Sequence, residues 1–212
     1  MEDKPAMDLE DLSDDPNFEK VPHHFKNKEK LQLKNLVKIY DNGVKAVDDM
    51  SLTMYKDQIF ALLGPNGAGK TSTISMITGL YEATEGIAEI YGLNIFEEMD
   101  KVREILGVCP QHNVLFDQLT PKEHFDIFWV FKGVANNIRS SEIETMLDEV
   151  DLKKQENLLS KNLSGGQKRK VNVGIALLGG SKLVLLDEPS SGLDPTARRG
   201  LWDMLKRNKR ER

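Results

Sequence analysis

Residues 31–40, LQLKNLVKIY, and 46–55, AVDDMSLTMY, alternate apolar and polar positions loosely across Asp41-Asn42-Gly43. That pattern predicts two antiparallel strands joined by a turn. QIFALLG at 58–64 is a short apolar run that closes on glycine, and GKTSTISMITG at 69–79 follows with helical content and a second closing glycine. Strand, loop and helix are expected there in that order. GIAEIYG at 86–92 predicts another strand, residues 97–106 a helix, and 105–109 a short strand stopped by Pro110.

The second half reads as helices followed by one buried strand. Thr120-Pro121-Lys122-Glu123 combines an N-cap, a proline at the first helical position and a capping-box glutamate, so a helix is expected from there to Gly133. Ser141 and Glu144 offer a second capping box, for a helix running to about Val150. Ser164 is placed to cap a helix over about 165–178. LVLLDEP at 183–189 has the uninterrupted apolar content of a strand buried on both faces, and Asp194-Pro195 opens a last helix that ends in the basic run KRNKRER.

Charge adds less than its total suggests. The formal net charge is −5 over 212 residues, yet residues 1–20 hold eight acids and two bases, so the rest of the chain sums to +1. The acidity belongs to a segment of about 30 residues, acidic and then basic, that has too few large apolar side chains to offset ordering and is expected to be a disordered linker. One cysteine, Cys109, excludes an intrachain disulfide and reads as a small packed apolar residue. No run approaches the roughly 18 apolar residues of a membrane span, and no signal-peptide pattern opens the chain.

Three short runs carry chemistry. Gly64-Pro65-Asn66-Gly67-Ala68-Gly69-Lys70-Thr71 matches G-x-x-x-x-G-K-[ST] between a predicted strand and a predicted helix. Its glycines let successive backbone N–H groups curl around a phosphate, with the helix N-terminus adding partial positive charge. Lys70 would reach the β- and γ-phosphates and Thr71 would hold Mg²⁺. Asp187, at the end of an apolar strand, is placed to join a Mg²⁺ shell, and Glu188 to polarise an attacking water. Ser164-Gly165-Gly166-Gln167 puts a serine cap and two bare glycines at a helix start, which is a second anion site. Two phosphate-binding helix starts need two ligands, or one ligand held between two copies.

Taken in order, GPNGAGKT, a lone Gln111, LSGGQ, LLDEP and SGLD make the chain resemble the nucleotide-binding domain of an ATP-binding-cassette (ABC) transporter over residues 31–212. The resemblance implies an α/β P-loop NTPase fold: a mostly parallel core sheet, an antiparallel β subdomain and a helical subdomain at about 112–165. It implies that Tyr40 stacks on adenine, that Gly64 to Thr71 with Ser72 form the phosphate loop, and that Gln111 is the Q-loop glutamine that senses Mg²⁺ and the attacking water. It further implies that Ser164, Gly165, Gly166 and Gln167 close over the γ-phosphate bound by an opposite subunit. Asp187 and Glu188 would be the Walker B aspartate and the catalytic glutamate, and Asp194 the D-loop aspartate at the dimer interface. Tyr40 can also be read as an edge-strand aromatic, Gln111 as a polar loop residue, and Asp194 as a helix cap.

GVCPQHNVLFDQLT at 107–120, GLYEATEG at 79–86 and LLGGSKLVLLDEPSSGLDP at 177–195 resemble the A subfamily, whose members move lipids. The expected function is ATP binding and hydrolysis with Mg²⁺ in a head-to-tail dimer, driving transmembrane domains at the cytoplasmic face of a membrane, with no nucleic-acid partner. Two alternatives stay open: a non-catalytic nucleotide-binding or dimerisation module, and a soluble ABC protein of the translation-factor type. A chromosome-type ATPase is disfavoured, because only 52 positions separate Gln111 from Leu163 and leave no room for a long coiled coil. The family's H-loop histidine lies after one further strand. His23, His24, His112 and His124 all precede the signature, so the chain is expected to be a fragment or truncated product without its last strands.

Overall fold

The computed structural model describes residues 30–210 and 212. The expected disordered linker therefore lies outside the described residues. The chain divides into two compact units, Met1–Val102 and Arg103–Arg212.

In the N-terminal unit β1 (Lys30–Ile39) and β2 (Lys45–Tyr55) pair antiparallel, as the alternation predicted. β3 (Glu85–Ile90) joins the other edge of β1 and β4 (Leu93–Asn94) follows it, giving the order β2-β1-β3-β4. The alternation in β1 breaks where a bulge intervenes. Leu31 and Leu33 face the core, the register shifts between Leu33 and Leu36, and Leu36 with Val37 is buried beyond it. Asn35 takes a φ of 48° in that bulge, and its side-chain amide donates to Asp49 Oδ1 at 2.7 Å. Leu31, Leu33, Leu36, Ala88 and Ile90 of the sheet are buried, as are Met76 and Ile77 of α1 (Lys70–Ile77).

Residues 58–64 do not form the predicted strand. Ile59 and Phe60 are 42% and 44% exposed and Leu63 is 86% exposed. An apolar run becomes a strand only when a neighbour completes its ladder, and no ladder partner for this run occurs among the described residues. The loop and helix that follow it form as expected.

α2 (Met99–Ile105) carries the chain into the C-terminal unit, where β5 (Leu106–Cys109) and β6 (Leu183–Leu186) form a parallel pair. The four residues of β6 are half-buried rather than covered on both faces, and among the described residues the strand's ladder partner is β5. α3 (Pro121–Phe131), α4 (Arg139–Glu149), α5 (Gly165–Leu177) and α6 (Pro195–Asn208) pack around Phe125, Trp129, Leu147, Val171, Val173 and Leu178. Thr120 and Glu123 close the predicted capping box on α3. The second box does not form: α4 starts after Ile138, the Ser141 hydroxyl donates back to Ile138 O, and Glu144 pairs with Lys122 at 2.8 Å.

One contact fixes α5 on the parallel pair. A Cβ added to Gly107 of β5 would lie 1.8 Å from Ala176 O, so strand and helix meet backbone to backbone. That approach sets where the N-terminal half of α5 stands relative to the ends of β5 and β6.

Candidate functional site

The phosphate loop is held by its own backbone. Gly67 and Gly69 take φ of 84° and 82°, a left-handed region open to glycine, and a Cβ on Gly69 would meet Ala46 O at 2.3 Å. The chain turns there and enters α1 at Lys70. The opening N–H groups of a helix have no intrahelical acceptor and face outward from its start. Lys70 Nζ donates to Gly64 O at 2.8 Å and Pro65 O at 2.9 Å, bonds that an anion at the loop would have to replace. Thr71 is exposed beside it.

Tyr40 is tied to the same helix start. Its hydroxyl and Ser72 Oγ lie 3.0 Å apart, and its ring meets Tyr81 edge-on at 5.7 Å. Lys38 Nζ sits 5.4 Å from the Tyr40 ring and 5.7 Å from that of Tyr81. Two of the predicted residues, 32 positions apart, thus meet, with the ring anchored through its hydroxyl.

In the C-terminal unit Gln111 and Glu188 come together across 77 positions: Gln111 Nε2 donates to Glu188 Oε2 at 3.2 Å. Both leave the carboxyl ends of a parallel pair, the edge at which open α/β sheets place ligands. Asp187 N donates to Cys109 O at 2.9 Å and extends the ladder by one bond. Glu188 then takes a φ of 43°, rare for a residue with a side chain, and its carbonyl accepts from Ser191 N at 3.0 Å. A backbone held in this region costs on the order of 1–3 kcal/mol and persists only where its surroundings impose it.

The oxygen donors named for a metal are the Thr71 hydroxyl, the Gln111 amide oxygen, left over once Nε2 binds Glu188, and the Asp187 carboxylate. All are hard ligands of the kind Mg²⁺ takes in small number, with water and phosphate oxygens filling the rest of its shell. No group of three or more His, Cys, Asp or Glu that could hold a metal ion occurs among the described residues.

The signature run closes on itself as a capping box. Ser164 Oγ accepts from Gln167 N at 3.2 Å, and Gln167 Oε1 accepts from Ser164 N at 2.9 Å. The two glycines after Ser164 answer to no packing demand: a Cβ on Gly165 meets nothing within 4 Å, and one on Gly166 meets only side chains at 3.7 Å or beyond. Asp194 caps α6, its Oδ1 accepting from Thr196 N at 2.9 Å and Ala197 N at 3.0 Å. The Ala197 N–H leads the backbone donors that hold its carboxyl below the usual carboxylate range.

Two residues not anticipated from the sequence complete this region. Arg169, 4% exposed, gives its guanidinium to four carbonyls: Pro110 O at 2.6 Å, Gln111 O at 3.2 Å, Asp187 O at 2.6 Å and Pro189 O at 3.0 Å. Asn172, one turn further along α5 and equally buried, accepts from Val114 N at 3.2 Å and donates to Asn113 Oδ1 at 3.3 Å. The sequence signal was weak: Asn172 stands out between Val171 and Val173, but Arg169 sits between Lys168 and Lys170 and reads as one of a charged run. Cys109 is the packed residue expected, its thiol raised by burial to about 11.

A family model described as ABC transporter matches residues 47–191, more than half of the chain. The chain belongs to the ABC transporter family. ATP-binding cassette sub-family A member 2 of Rattus norvegicus is 47% identical to this ABC chain over 171 residues, 80% of the chain and 7% of that protein. Phospholipid-transporting ATPase ABCA3 of Homo sapiens is 45% identical over 86% of the chain and 11% of that protein. ABC transporter A family member 2 of Dictyostelium discoideum is 43% identical over 97% of the chain. The chain spans only 7% to 13% of the length of these relatives. Among solved structures, the ATP-binding subunit of an ABC transporter is similar with a TM-score of 0.76 and 29% identity, covering 85% of this chain and 75% of that one. The α/β ABC ATPase fold and the A-subfamily wording read from the motifs are those of these proteins.

Proposed function

We propose that the chain is the ATP-hydrolysing module of an A-type ABC transporter. The observation that carries this is the Gln111–Glu188 hydrogen bond of 3.2 Å at the carboxyl ends of β5 and β6, with Glu188 held at a φ of 43°. Gln111 orients the Glu188 carboxylate, and Glu188 takes the proton of a water that attacks the γ-phosphate. The phosphate loop binds the nucleotide through the backbone of 64–71 and Lys70, and Tyr40, steadied by Ser72, offers its ring to the base. A bound Mg²⁺ would be held by Thr71, Asp187 and Gln111 and would neutralise charge on the β- and γ-phosphates.

The bare glycines at 165 and 166 support a head-to-tail dimer, since they leave the start of α5 clear for an anionic ligand. Transmembrane segments, in the same or another chain, are the proposed partners. No helix among the described residues is long and apolar enough to cross a membrane. Val114, Phe116 and Phe131, exposed by 61%, 57% and 72%, give the helical region apolar side chains with which to meet such a partner. Lipid as cargo is supported by the names of the phospholipid-transporting relatives.

The test is Glu188→Gln. It keeps shape and the bond to Gln111 while removing the base, so phosphate release should fall at least about 100-fold with ATP affinity retained. Unchanged release removes Glu188 from the role, and ATP-dependent association with no release from the unaltered chain favours the non-catalytic alternative.

A further inference from the structure

We propose that Arg169 and Asn172 are positioning residues that transmit the placement of the signature helix α5 to Gln111 and Glu188. The inference rests on the hydrolytic reading for its consequence, and on geometry alone for its existence.

Among the described residues Arg169 bonds to backbone carbonyls and to no carboxylate. Those carbonyls are not scattered. Asp187 O and Pro189 O flank Glu188 on either side, while Pro110 O and Gln111 O lead into and out of the peptide that carries Gln111. β5 and β6 separate beyond Cys109 and Leu186, where one last backbone bond, from Asp187 N to Cys109 O, joins them. The guanidinium takes over from there and clips the two diverging chains together. It holds the carbonyls of the residues on both sides of Glu188, whose φ is 43°, and so provides surroundings that such a backbone requires. A planar fork with five donors can serve four carbonyls at once, which a lysine ammonium with three cannot.

Asn172 fixes the next part of the same segment through Val114 N and Asn113 Oδ1. The segment from Pro110 to Val114 is thereby bonded at both ends to one face of α5, four and seven residues after the first signature glycine, Gly165. Displacement of α5 displaces Gln111 and the peptides around Glu188 with it. Closure of the signature on a nucleotide held by a second subunit would in this way set the geometry of the base in its own subunit.

The test uses the full 212-residue chain with Arg169→Lys, Asn172→Ala and Glu188→Gln. In Arg169→Lys the amides of Asp187 and Ser191 should exchange at least about tenfold faster, while those of Leu147 and Val173 stay within about twofold. In Asn172→Ala the amide of Val114 should show the same selective rise. Phosphate release by Arg169→Lys should fall about tenfold or more with the dissociation constant for ATP within about threefold, a split between turnover and binding that general loss of structure would not produce. Should the lysine variant loosen throughout, Asn172→Ala decides the matter through Val114 alone. Exchange at Val114 in Asn172→Ala that is unchanged, or that rises no more than exchange at Leu147 and Val173, or unchanged turnover in Arg169→Lys while Glu188→Gln loses it, overturns the proposal and leaves the hydrolytic reading standing. The selective exchange pattern in a chain that releases no phosphate does the reverse.

Discussion

The phosphate loop and the Gln111–Glu188 turn reach a fixed shape by opposite means. The loop is contiguous and holds itself: two glycines supply positive φ, Lys70 bonds to carbonyls five and six residues back, and the helix that follows begins at once. The turn is assembled from segments 77 residues apart and is held from outside, by Arg169 on a helix that belongs to neither. A loop of the first kind has a shape set mainly by bonds among its own residues. A turn of the second kind has a geometry that depends on α5, so its chemistry can be governed by whatever moves that helix.

Substitutions can press on each side of this contrast. The largest effect is expected from Gly107→Ala, which sets a methyl 1.8 Å from Ala176 O and must drive α5 off β5. It should cost about 3 kcal/mol in urea unfolding, and the Gln111–Glu188 turn should lose its order with the helix. Gly69→Ala acts on the other region. It places a methyl 2.3 Å from Ala46 O at a φ of 82°, so about 2 kcal/mol of stability should go and ATP affinity should fall at least about tenfold by titration.

A smaller, pH-dependent effect should come from His124. It is buried, accepts from Phe116 N at Nε2 over 2.9 Å, and has Thr120 O 2.8 Å from Nδ1, an arrangement that suits the neutral ring. Burial leads the causes that lower its pKa from the ordinary 6.5. The unfolded chain therefore takes up the proton first as pH falls. The stabilisation is complete above 6.5 and declines as pH drops below it toward the folded pKa. The urea midpoint should decrease from pH 7 to pH 5, with part of that slope absent in His124→Gln.

Legibility followed the same division. The phosphate loop's turn, the Thr120 capping box and the Ser164 and Asp194 caps were readable because each rests on bonds between residues two to six apart, although the Gln167 bond that makes Ser164 part of a box was not anticipated. The antiparallel β1–β2 pair was readable from alternation, but not its bulge at Asn35, where a side-chain amide reaches across to Asp49. QIFALLG failed as a strand because a ladder partner is non-local information that a seven-residue pattern does not contain. Ser141 failed as a cap because its hydroxyl found Ile138 O instead. Arg169 and Asn172 were missed for a related reason: their partners lie between 18 and 59 residues away, apart from one local bond to Lys168 O, and a polar pair inside a motif-bearing helix looks like solvent-facing surface until those partners are placed.

The contrast between a self-held loop and an externally held turn is tested most directly by measuring ATP affinity and phosphate release side by side in Gly69→Ala and Arg169→Lys. The predicted result is a double dissociation, with Gly69→Ala losing affinity and Arg169→Lys keeping affinity within about threefold while losing about tenfold or more in release. Affinity and release falling together in both variants would contradict the account.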